Sequence, residues 1–321
     1  MSTKVKLELS IPADRRGRRL DQVLAELVQD YSRSRLQQWI RSGQVTLDGR
    51  QPQPRDKVMG GETVRIDAEI VEQTASEAEA IPLDLVYEDA DLLVINKPAG
   101  LVVHPAAGNP AGTLLNALLH YDSSLAGIPR AGIVHRLDKN TSGLMVVARN
   151  LTAHKRLVEA LQARTVKREY LTVVYSVLTA GGCIEAPVGR HPVDRKRMAV
   201  IASGKEAVTH YRLEERFRAH TLVRVQLETG RTHQIRVHMA YKHFPVLGDP
   251  VYGGRLRLPK GGDAEFREVL SGFRRQALHA TQLGLVHPAS GMAMSWQAGV
   301  PDDMARLIAV LREDAGKHAG D

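Results

Sequence analysis

The stretch GIVHRLDKNTSGLMVVARN, residues 132–150, sets the frame for both the fold and the chemistry. A short apolar start leads into the polar segment 135–142, and the continuous apolar run GLMVVA follows it. An apolar run of this length predicts a strand that is buried on both faces. Polar residues held between two buried strands are typical of a functional site on a rigid frame. We therefore expect Asp138 to lie in a loop that a sheet holds in place.

Asp138 has two cationic neighbours in the sequence, Arg136 and Lys139. Positive charge close to a carboxyl group favours its ionised form, and an ionised aspartate can act as a nucleophile or as a base. The competing interpretation is an ordinary turn in which Asp138 and Thr141 cap the backbone. The residues alone leave both interpretations open.

A second polar cluster, ETGRTHQIRVHMA at residues 228–240, carries candidate partners for Asp138. Arg231 and Arg236 each offer a planar fork of donors that fits a carboxylate or a phosphate. The competing interpretation is a charge-rich helix or strand on the surface. The histidines of this region recur five residues apart, which does not place two of them on one helix face. We therefore expect no metal site here.

The overall charge favours a polyanionic partner. The chain has 321 residues, a net charge of +8 and a pI of about 9.6, and each Lys or Arg placed on a phosphate releases a counterion. Aromatic residues make up only 4%, which argues against a surface of stacking platforms for single strands. If RNA is the partner, we expect its shape and its phosphates to provide most of the affinity.

Several motifs are absent from the sequence, and their absence narrows the function. There is no Walker-type loop and no GxGxxG segment after a strand, so we expect no nucleotide cofactor. No apolar run approaches the roughly 20 residues of a membrane span, and no signal peptide is evident. We expect a cytoplasmic protein that binds no membrane. The single cysteine, Cys183, excludes an internal disulfide, and we expect it to be buried or half-buried.

The chain divides by charge. Basic residues dominate from 15 to 65, whereas residues 67–91 contain no Lys or Arg. The polar, Ala-rich segment 71–82 is typical of a linker, and we place the domain boundary near residue 78, with domains at 18–78 and 79–321. We expect the linker to let the first domain swing.

The first domain has its own fold signals. Apolar residues at helical spacing predict one helix around Leu20–Leu27 and a second after a Ser32 cap, ended by Gly43. Strands are predicted at VTLDGR and ETVRID. Arg33 and Arg35 cluster at the start of the second helix, where a helix N-terminus also favours phosphate. We expect these two arginines to contact RNA, although a solvated helix face is the simpler alternative.

The second domain alternates strand and helix signals irregularly. The runs DLLVINKP, GLMVVAR, REYLTVVYSVL and HTLVRVQLET predict strands, and LLNALL after Thr113, LTAHKRLVEALQAR and MARLIAVLRE predict helices. This pattern indicates an α+β fold built on a largely antiparallel, mixed β-sheet with flanking helices.

Four segments resemble the motifs of one family. HRLDKNTSG is similar to the catalytic motif of the RluA-type pseudouridine synthases. YEDADLLVINKPAGLVVHP at 87–105, KREYLTVVY at 167–175, and ETGRTHQIRVHMA followed by FPVLGDPVYGG resemble its other motifs, in the same order. Residues 18–78 resemble an S4-type RNA-binding domain. Within the family, segments such as DYSRSR and RHPVDRKRMAV are most similar to the RluD type.

The resemblance implies roles for particular residues. Asp138 would be the essential aspartate and Arg236 its basic partner, with Arg231 as the second choice. Tyr170 would lie against the uracil ring, and Arg136 would stabilise the space left by a uridine that has been flipped from its stack. An apolar residue near Val246 or Leu247 would pack beneath the base. The family fold also implies a central cleft.

The resemblance also implies the substrate. RluD-type enzymes isomerise uridines in the helix 69 stem-loop of bacterial 23S rRNA without a cofactor, so the partner would be large-subunit rRNA or a ribosomal subunit precursor, bound by a monomer. Three alternatives remain open. They are the same chemistry at another rRNA or tRNA site, a hydrolase that uses Asp138 as a base, and a non-catalytic S4-type assembly factor.

Overall fold

The computed structural model describes residues 3–28, 31, 33–70, 77–106, 108–194 and 196–319. By contacts between backbone positions the chain divides into two compact units, residues 1–75 and 76–321. Each unit has its own hydrophobic core. Within the described residues, none of the helices is long and apolar enough to cross a bilayer.

The first unit is a three-stranded antiparallel sheet that packs against two helices. Its elements are β1 Thr3–Ser10, α1 Leu20–Leu27, α2 Arg33–Arg41, β2 Val45–Leu47 and β3 Thr63–Ile70, and the strand order is β1-β3-β2. The apolar faces predicted for both helices are buried, except that Leu27 is exposed. The predicted cap Ser32 lies outside the described residues.

Two turns in this unit follow from the sequence. Gly43 ends α2 with a φ of 77°, and Asp48 and Gly49 have φ values of 48° and 75° in the turn after β2. Asp48 also accepts a hydrogen bond from the backbone N–H of Thr63, which ties the turn to β3. The prediction missed β1, so the unit begins earlier than residue 18.

The second unit is larger. Its helices are α3 Leu114–Tyr121, α4 Leu151–Gln162, α5 Gln234–Tyr241, α6 Ala264–Gly272 and α7 Asp302–Lys317. Its strands are β4 Leu85–Glu88, β5 Leu92–Lys97, β6 Ser142–Ala148, β7 Lys167–Tyr175, β8 Gly182–Glu185, β9 Val188–Arg190, β10 Met198–Val200, β11 Val208–Arg216, β12 His220–Leu227, β13 Leu278–Val286 and β14 Ala293–Gln297. The α+β prediction is confirmed.

Nine of these strands form one mixed sheet. Its order is β4-β5-β6-β13-β7-β12-β11-β8, and β14 pairs with β13. All pairs are antiparallel except β6 with β13. The first half of β13 pairs with β6 and the second half with β14. The remaining strands, β9 and β10, form a separate hairpin.

The sheet separates two cores. In β6 all seven residues are buried, with Met145 and Val147 in the main core and Leu144 and Val146 in the core under α4. This period of two explains why the strand is apolar at every position, as predicted for a strand buried on both faces.

Local caps set the ends of two helices that were expected from the sequence. Thr113 and Asn116 form a capping box at the start of α3, and the side chain of Asn150 accepts from the Ala153 N–H at the start of α4. Each cap satisfies N–H groups that the first helical turn leaves without a partner.

The described part of the linker is anchored on the second unit. The Asn116 amide donates to the carbonyl of Glu77 at 2.8 Å, and the Gly112 N–H donates to the carboxylate of Glu79 at 2.9 Å. Residues 71–76, the first half of the expected linker 71–82, lie outside the described residues. A swinging first unit stays a prediction.

Cys183 lies on β8, at the edge of the large sheet, and it is exposed. The expectation of a buried or half-buried cysteine was wrong. The side chain occupies a position of β8 that faces away from the core, whereas its neighbour Ile184 points inward and is buried. The alternation of an edge strand therefore decides the exposure of this cysteine.

Candidate active site

Asp138 lies in a tight turn just before β6. Its carbonyl accepts a hydrogen bond from the Thr141 N–H at 3.0 Å, which closes the turn. Its side chain remains 16% exposed, so the carboxylate is open to an incoming group. Three residues earlier the imidazole of His135 accepts from the Val146 N–H at 3.0 Å. His135 thereby fastens the segment before Asp138 to strand β6.

Lys97 supports this turn from one side. It is the last residue of β5 and is fully buried. Its ammonium donates to the carbonyls of Pro98 at 2.7 Å, Leu101 at 2.9 Å and Lys139 at 3.1 Å. Burial lowers the pKa of Lys97 to about 7, and the nearby carboxylate of Asp138 opposes that shift. Three carbonyls therefore satisfy the three donors of a buried cation.

The start of β13 supports the turn from the other side. The amide of Gln276 donates to Thr141 Oγ1 at 3.0 Å, and Ser142 Oγ lies 2.9 Å from Nδ1 of His279. Gly143 has a φ of 113°, and a Cβ on it would lie 2.2 Å from the carbonyl oxygen of Ala280. Only glycine allows β6 and β13 to approach this closely.

Arg236 is the direct partner of Asp138. It lies on α5, is only 3% exposed, and donates from Nη1 to Oδ2 of Asp138 at 2.9 Å. Its Nε and Nη2 donate to the two oxygens of Asp249 at 2.7 and 2.9 Å. The guanidinium thus bridges two carboxylates, one buried and one partly open.

The charges of this bridge stabilise one another. Burial opposes ionisation of Asp249, but the hydrogen bond and the charge of Arg236 outweigh it and lower its pKa. Burial likewise opposes the cation, and Asp249 and Asp138 together raise the pKa of Arg236. Since Arg236 is always charged, a positive charge faces Asp138 permanently.

The charge of Asp138 acts on both Tyr170 and His233. Burial raises the pKa of Tyr170, Arg168 opposes this shift, and the charge of Asp138 adds to it. Tyr170 is therefore a neutral phenol at neutral pH. Nε2 of His233 lies 3.9 Å from Oδ1 of Asp138. Burial lowers the pKa of His233 and Asp138 opposes that shift, so this imidazole is neutral as well.

Comparisons with known proteins match both units. Residues 91–241 match the family model of RNA pseudouridylate synthase, and residues 18–64 match the S4 domain. The chain is 56% identical to ribosomal large subunit pseudouridine synthase D of Escherichia coli (strain K12), over 99% of this chain and 98% of that protein. The corresponding enzyme of Xanthomonas campestris is 57% identical, over 96% and 93%. The chain belongs to the RNA pseudouridylate synthase family.

The likeness extends to a solved structure. The chain resembles human RNA pseudouridylate synthase domain containing 4, with a TM-score of 0.56 and 27% identity, over 71% of this chain and 93% of that one. The resemblance to RluA-type synthases and to an S4-type domain is thereby confirmed, and the protein is an RNA pseudouridine synthase.

The structure separates the two arginines that were candidate partners of Asp138. Arg236 lies on the carboxylate, whereas Nε of Arg231 donates to the backbone carbonyl of Glu206 at 2.9 Å. Arg136, two residues before Asp138 in the sequence, is exposed. Val246 and Leu247 are both fully buried in the main core.

Most of the segment 228–240 is buried or half-buried. Its helix α5 is buried from Gln234 to Met239, including Arg236 and His238. His238 bonds through its two ring nitrogens to Thr209 Oγ1 and the Ala186 carbonyl. The interpretation as a charge-rich surface element was wrong, because ion pairs and hydrogen bonds from other elements satisfy its polar side chains.

In the S4 unit the predicted RNA contacts are partly engaged within the protein. Arg33 donates from Nη2 to the buried carboxylate of Asp21 at 2.8 Å, and Arg19 donates to the same carboxylate at 2.9 Å. Both arginines remain more than a third exposed. Arg35 is half-buried on α2. Asp21 thus holds two cations in place at the surface.

Three supporting residues had no role in the prediction. Asp249 and Tyr252 belong to the quoted segment FPVLGDPVYGG, and Lys97 to Asn96-Lys97-Pro98. Their partners, Arg236 and the Lys139 carbonyl, are distant in sequence. The resemblance of these segments to family motifs indicated that they are functional. The spacing of the residues in the sequence, however, does not connect them with Asp138.

Among the residues that the structure describes, one group could offer three ligands to a metal, namely Asp89, Asp91 and His287. The carboxylate of Asp89 already accepts from the Tyr87 hydroxyl at 2.7 Å and from two backbone N–H groups, and it lies 2.9 Å from Nε2 of His287. Hydrogen bonds account for this cluster, which ties the turn between β4 and β5 to the end of β13.

Proposed function

We propose that the protein isomerises uridines of bacterial large-subunit ribosomal RNA to pseudouridine, with Asp138 as the catalytic residue. The observation that carries this proposal is the pair of Asp138 and Arg236 at 2.9 Å, held in a turn that is fixed from two sides. The substrate follows from the relatives, which are named as large-subunit pseudouridine synthases. We further propose the helix 69 stem-loop as the target.

The reaction is an exchange of one glycosidic bond for another. The bond from uracil N1 to C1′ of the ribose breaks, and C5 then bonds to C1′. C5 loses its hydrogen as a proton, and N1 gains a proton, so the composition of the RNA does not change. A carboxylate paired with the guanidinium of Arg236 can open the sequence either as a nucleophile or as a base.

The remaining residues have proposed roles in placing the nucleotide. A uridine must leave its stack before a pocket can hold it. Exposed Arg136 would stabilise the vacated space, and the ring of Tyr170 would lie against the uracil. Arg231 would contact the substrate further from the reacting bond. The cationic surface at Arg33 and Arg35 would contact phosphates of the same RNA.

We also propose that the protein works as a monomer in the cytoplasm. The 56–57% identical relatives are named for the ribosomal large subunit, which supports a location where ribosomes assemble. Analytical ultracentrifugation at micromolar concentration should give a single species of about 35 kDa, in line with the 35.3 kDa chain. A dimer at that concentration would contradict the proposal.

The test is the release of tritium from large-subunit rRNA labelled at uridine C5. Wild type should release it, and Asp138→Asn, which keeps the shape of the side chain, should reduce the rate by about 1,000-fold or more. Asp302→Asn, on an exposed aspartate at the start of α7, is the matched control and should behave as wild type.

Product analysis separates the alternatives. Isomerisation leaves the mass of the RNA unchanged, whereas a hydrolase would release a base or shorten the chain. RNA binding by wild type without release of tritium would instead indicate a non-catalytic assembly factor. Release from tRNA but not from 23S rRNA would keep the chemistry and overturn the proposed substrate.

A further inference from the structure

The side chain of Tyr252 connects several parts of the site at once. Its ring centroid lies 5.0 Å from Cζ of Arg236 and 5.3 Å from Cζ of Arg197. Both distances are within the range of cation–π attraction. Arg236 is the partner of Asp138, whereas Arg197 directly precedes β10 in the β9–β10 hairpin. One ring therefore touches a cation from the site and a cation from the hairpin.

The hydroxyl of Tyr252 makes a second set of contacts. It accepts from the backbone N–H of Met198, the first residue of β10, at 2.8 Å. It also lies 2.9 Å from Nδ1 of His233. Because a phenol can accept and donate together, both hydrogen bonds form at the same time.

His233, held by this hydroxyl, occupies a conformation that a non-glycine residue rarely adopts. It precedes α5 with a φ of 57°, which costs about 1 kcal/mol or more unless neighbouring contacts hold it. Its other ring nitrogen, Nε2, is the one that lies 3.9 Å from Asp138. The tyrosine hydroxyl thus helps to fix an imidazole that faces the catalytic carboxylate.

The backbone of Tyr252 is fastened to the same network. Its N–H donates to Oδ1 of Asp249 at 3.0 Å, and Nη2 of Arg236 donates to that same oxygen at 2.9 Å. The turn that carries Tyr252 and the guanidinium of Arg236 therefore share one buried anchor. A displacement of the ring cannot leave the guanidinium unaffected.

We infer that Tyr252 is a positioning residue, which makes the orientation of Arg236 and His233 against Asp138 depend on the place of the β9–β10 hairpin. This inference rests on the proposed function. The hairpin loop carries His191, Lys196 and Arg197. A phosphate backbone would attract these basic side chains and could shift the hairpin. Contact with RNA at the hairpin would then change, through Tyr252, how Arg236 and His233 are oriented against the carboxylate of Asp138.

The first test separates the hydroxyl from the ring. Tyr252→Phe keeps the ring and loses both hydrogen bonds, and it should lower kcat for tritium release about tenfold. Tyr252→Leu also loses both cation–π contacts and should lower kcat about 100-fold. KM should stay within about twofold in both variants, because an interaction lost only on the way to the transition state appears in kcat.

The matched control is Tyr241→Phe. Tyr241 ends α5 and is 54% exposed, so the same chemical change there should leave kcat and KM unchanged. A Tyr252→Phe variant with a full kcat and only a lower melting temperature would overturn the inference, since Tyr252 would then merely fill space. Should Tyr252→Leu fail to fold, Tyr252→Phe alone decides the question.

The second test asks whether the hairpin acts through Tyr252. Arg197→Met removes one of the two cations from the ring and should lower kcat about threefold when Tyr252 is present. In the Tyr252→Leu background the same change should have no further effect on kcat. If Arg197→Met lowers kcat by the same factor with and without Tyr252, then Arg197 acts without Tyr252. That result would overturn the coupling.

The two proposals fail in different ways. If wild type releases no tritium from rRNA, the proposed function falls, and the inference falls with it. If wild type is active and Tyr252→Phe retains full kcat, only the inference falls. Reduced kcat with unchanged KM, together with a non-multiplying double variant, supports both.

Discussion

Arg236 donates from Nη1 to Oδ2 of Asp138 over 2.9 Å, and it does so from a side chain that is only 3% exposed. A buried guanidinium requires hydrogen-bond or ion-pair partners for all of its N–H groups to compensate for the loss of hydration. Asp249 supplies that compensation at Nε and Nη2. The carboxylate of Asp138 is therefore paired with a cation whose orientation a second carboxylate has already fixed.

Replacement of Arg236 by lysine tests this fixed geometry. An ammonium group is a compact charge without the planar fork, so it cannot bridge Asp138 and Asp249. Loss of one partner from a buried pair costs about 3 kcal/mol, and we expect Arg236→Lys to lower kcat for tritium release about 100-fold. Arg231→Lys should cost much less, because that side chain bonds a backbone carbonyl. The reverse order of the two variants would identify Arg231 as the functional partner.

Lys97 predicts a pH dependence of stability. Burial lowers its pKa to about 7, against about 10.4 in an unfolded chain. Between these values the unfolded state binds more protons, so the stability contribution of Lys97 rises with pH in this window and is least favourable below about pH 7. The unfolding free energy of wild type minus that of Lys97→Met should therefore rise between about pH 7 and 10, by at most about 1.4 kcal/mol per pH unit.

Urea unfolding at a series of pH values measures this difference. Lys155→Met, at an exposed lysine of α4, provides the control, and its curve should run parallel to that of wild type up to about pH 9. A Lys97→Met curve that is equally parallel would show that the ammonium gains as much from its three carbonyls as it loses by burial.

Asp21 predicts a pH dependence of the same sign in the S4 unit, but at acidic pH. Burial opposes its ionisation, but hydrogen bonds from Arg19, Arg33 and Gln37 outweigh burial and lower its pKa to about 2. Its stabilising contribution is present above the unfolded pKa of about 4 and is lost as the pH falls toward 2. At neutral pH we expect Asp21→Asn to cost about 1–2 kcal/mol, after allowance for the screening of its half-exposed partners.

Thermal unfolding of Asp21→Asn followed by circular dichroism measures that loss. Asp67→Asn is the control. The carboxylate of Asp67 is exposed, and its ion pair with the equally exposed Lys6 is long, at 3.7 Å, so its loss should cost little. Equal stability of the two variants at pH 7, or a difference that persists at pH 2, would contradict the assignment. RNA affinity of Asp21→Asn should also fall, since Arg33 would lose its fixed orientation.

Gly143 predicts a severe loss from the smallest possible change. A Cβ there would lie 2.2 Å from the Ala280 oxygen and 2.5 Å from its nitrogen, so Gly143→Ala should cost about 3 kcal/mol or more and reduce the yield of folded protein. Gly100→Ala isolates backbone strain, because φ is 90° there but nothing lies within 4 Å. It should cost only about 1 kcal/mol. Similar melting temperatures would show that β6 and β13 can separate.

The sequence predicted those elements whose pattern is local. β5 and β6 are apolar runs with clear ends, and Thr113 caps α3. By contrast β1 was missed although Val5, Leu7 and Leu9 alternate with polar residues as in a half-buried strand, because its partner β3 lies about sixty residues away. For helix α5 the sequence left a surface element open as the alternative, because hydropathy takes no account of ion pairs such as the one from Arg236 to Asp249.

The site shows the same division. Asp138, Tyr170 and Arg236 could be proposed from motifs, and the structure places Arg236 on the carboxylate of Asp138. Asp249 and Tyr252 could not be assigned, because their importance lies in contacts with residues at 236, 233 and 198 that no periodicity links to them. A single sequence does not show which residues that are distant in the chain become neighbours in the fold.

Parallel pairing of β6 with β13 has a consequence for the newly made protein. The hydrogen bond between Ser142 and His279 joins residues 137 positions apart. A nascent chain that ends at residue 241, where the family match ends, would already contain Asp138 and Arg236. It would still lack Gln276 and His279, which hold the turn after Asp138. Gln276 and His279 can support this turn only after they have left the ribosome, so we expect the turn to become fixed late in synthesis.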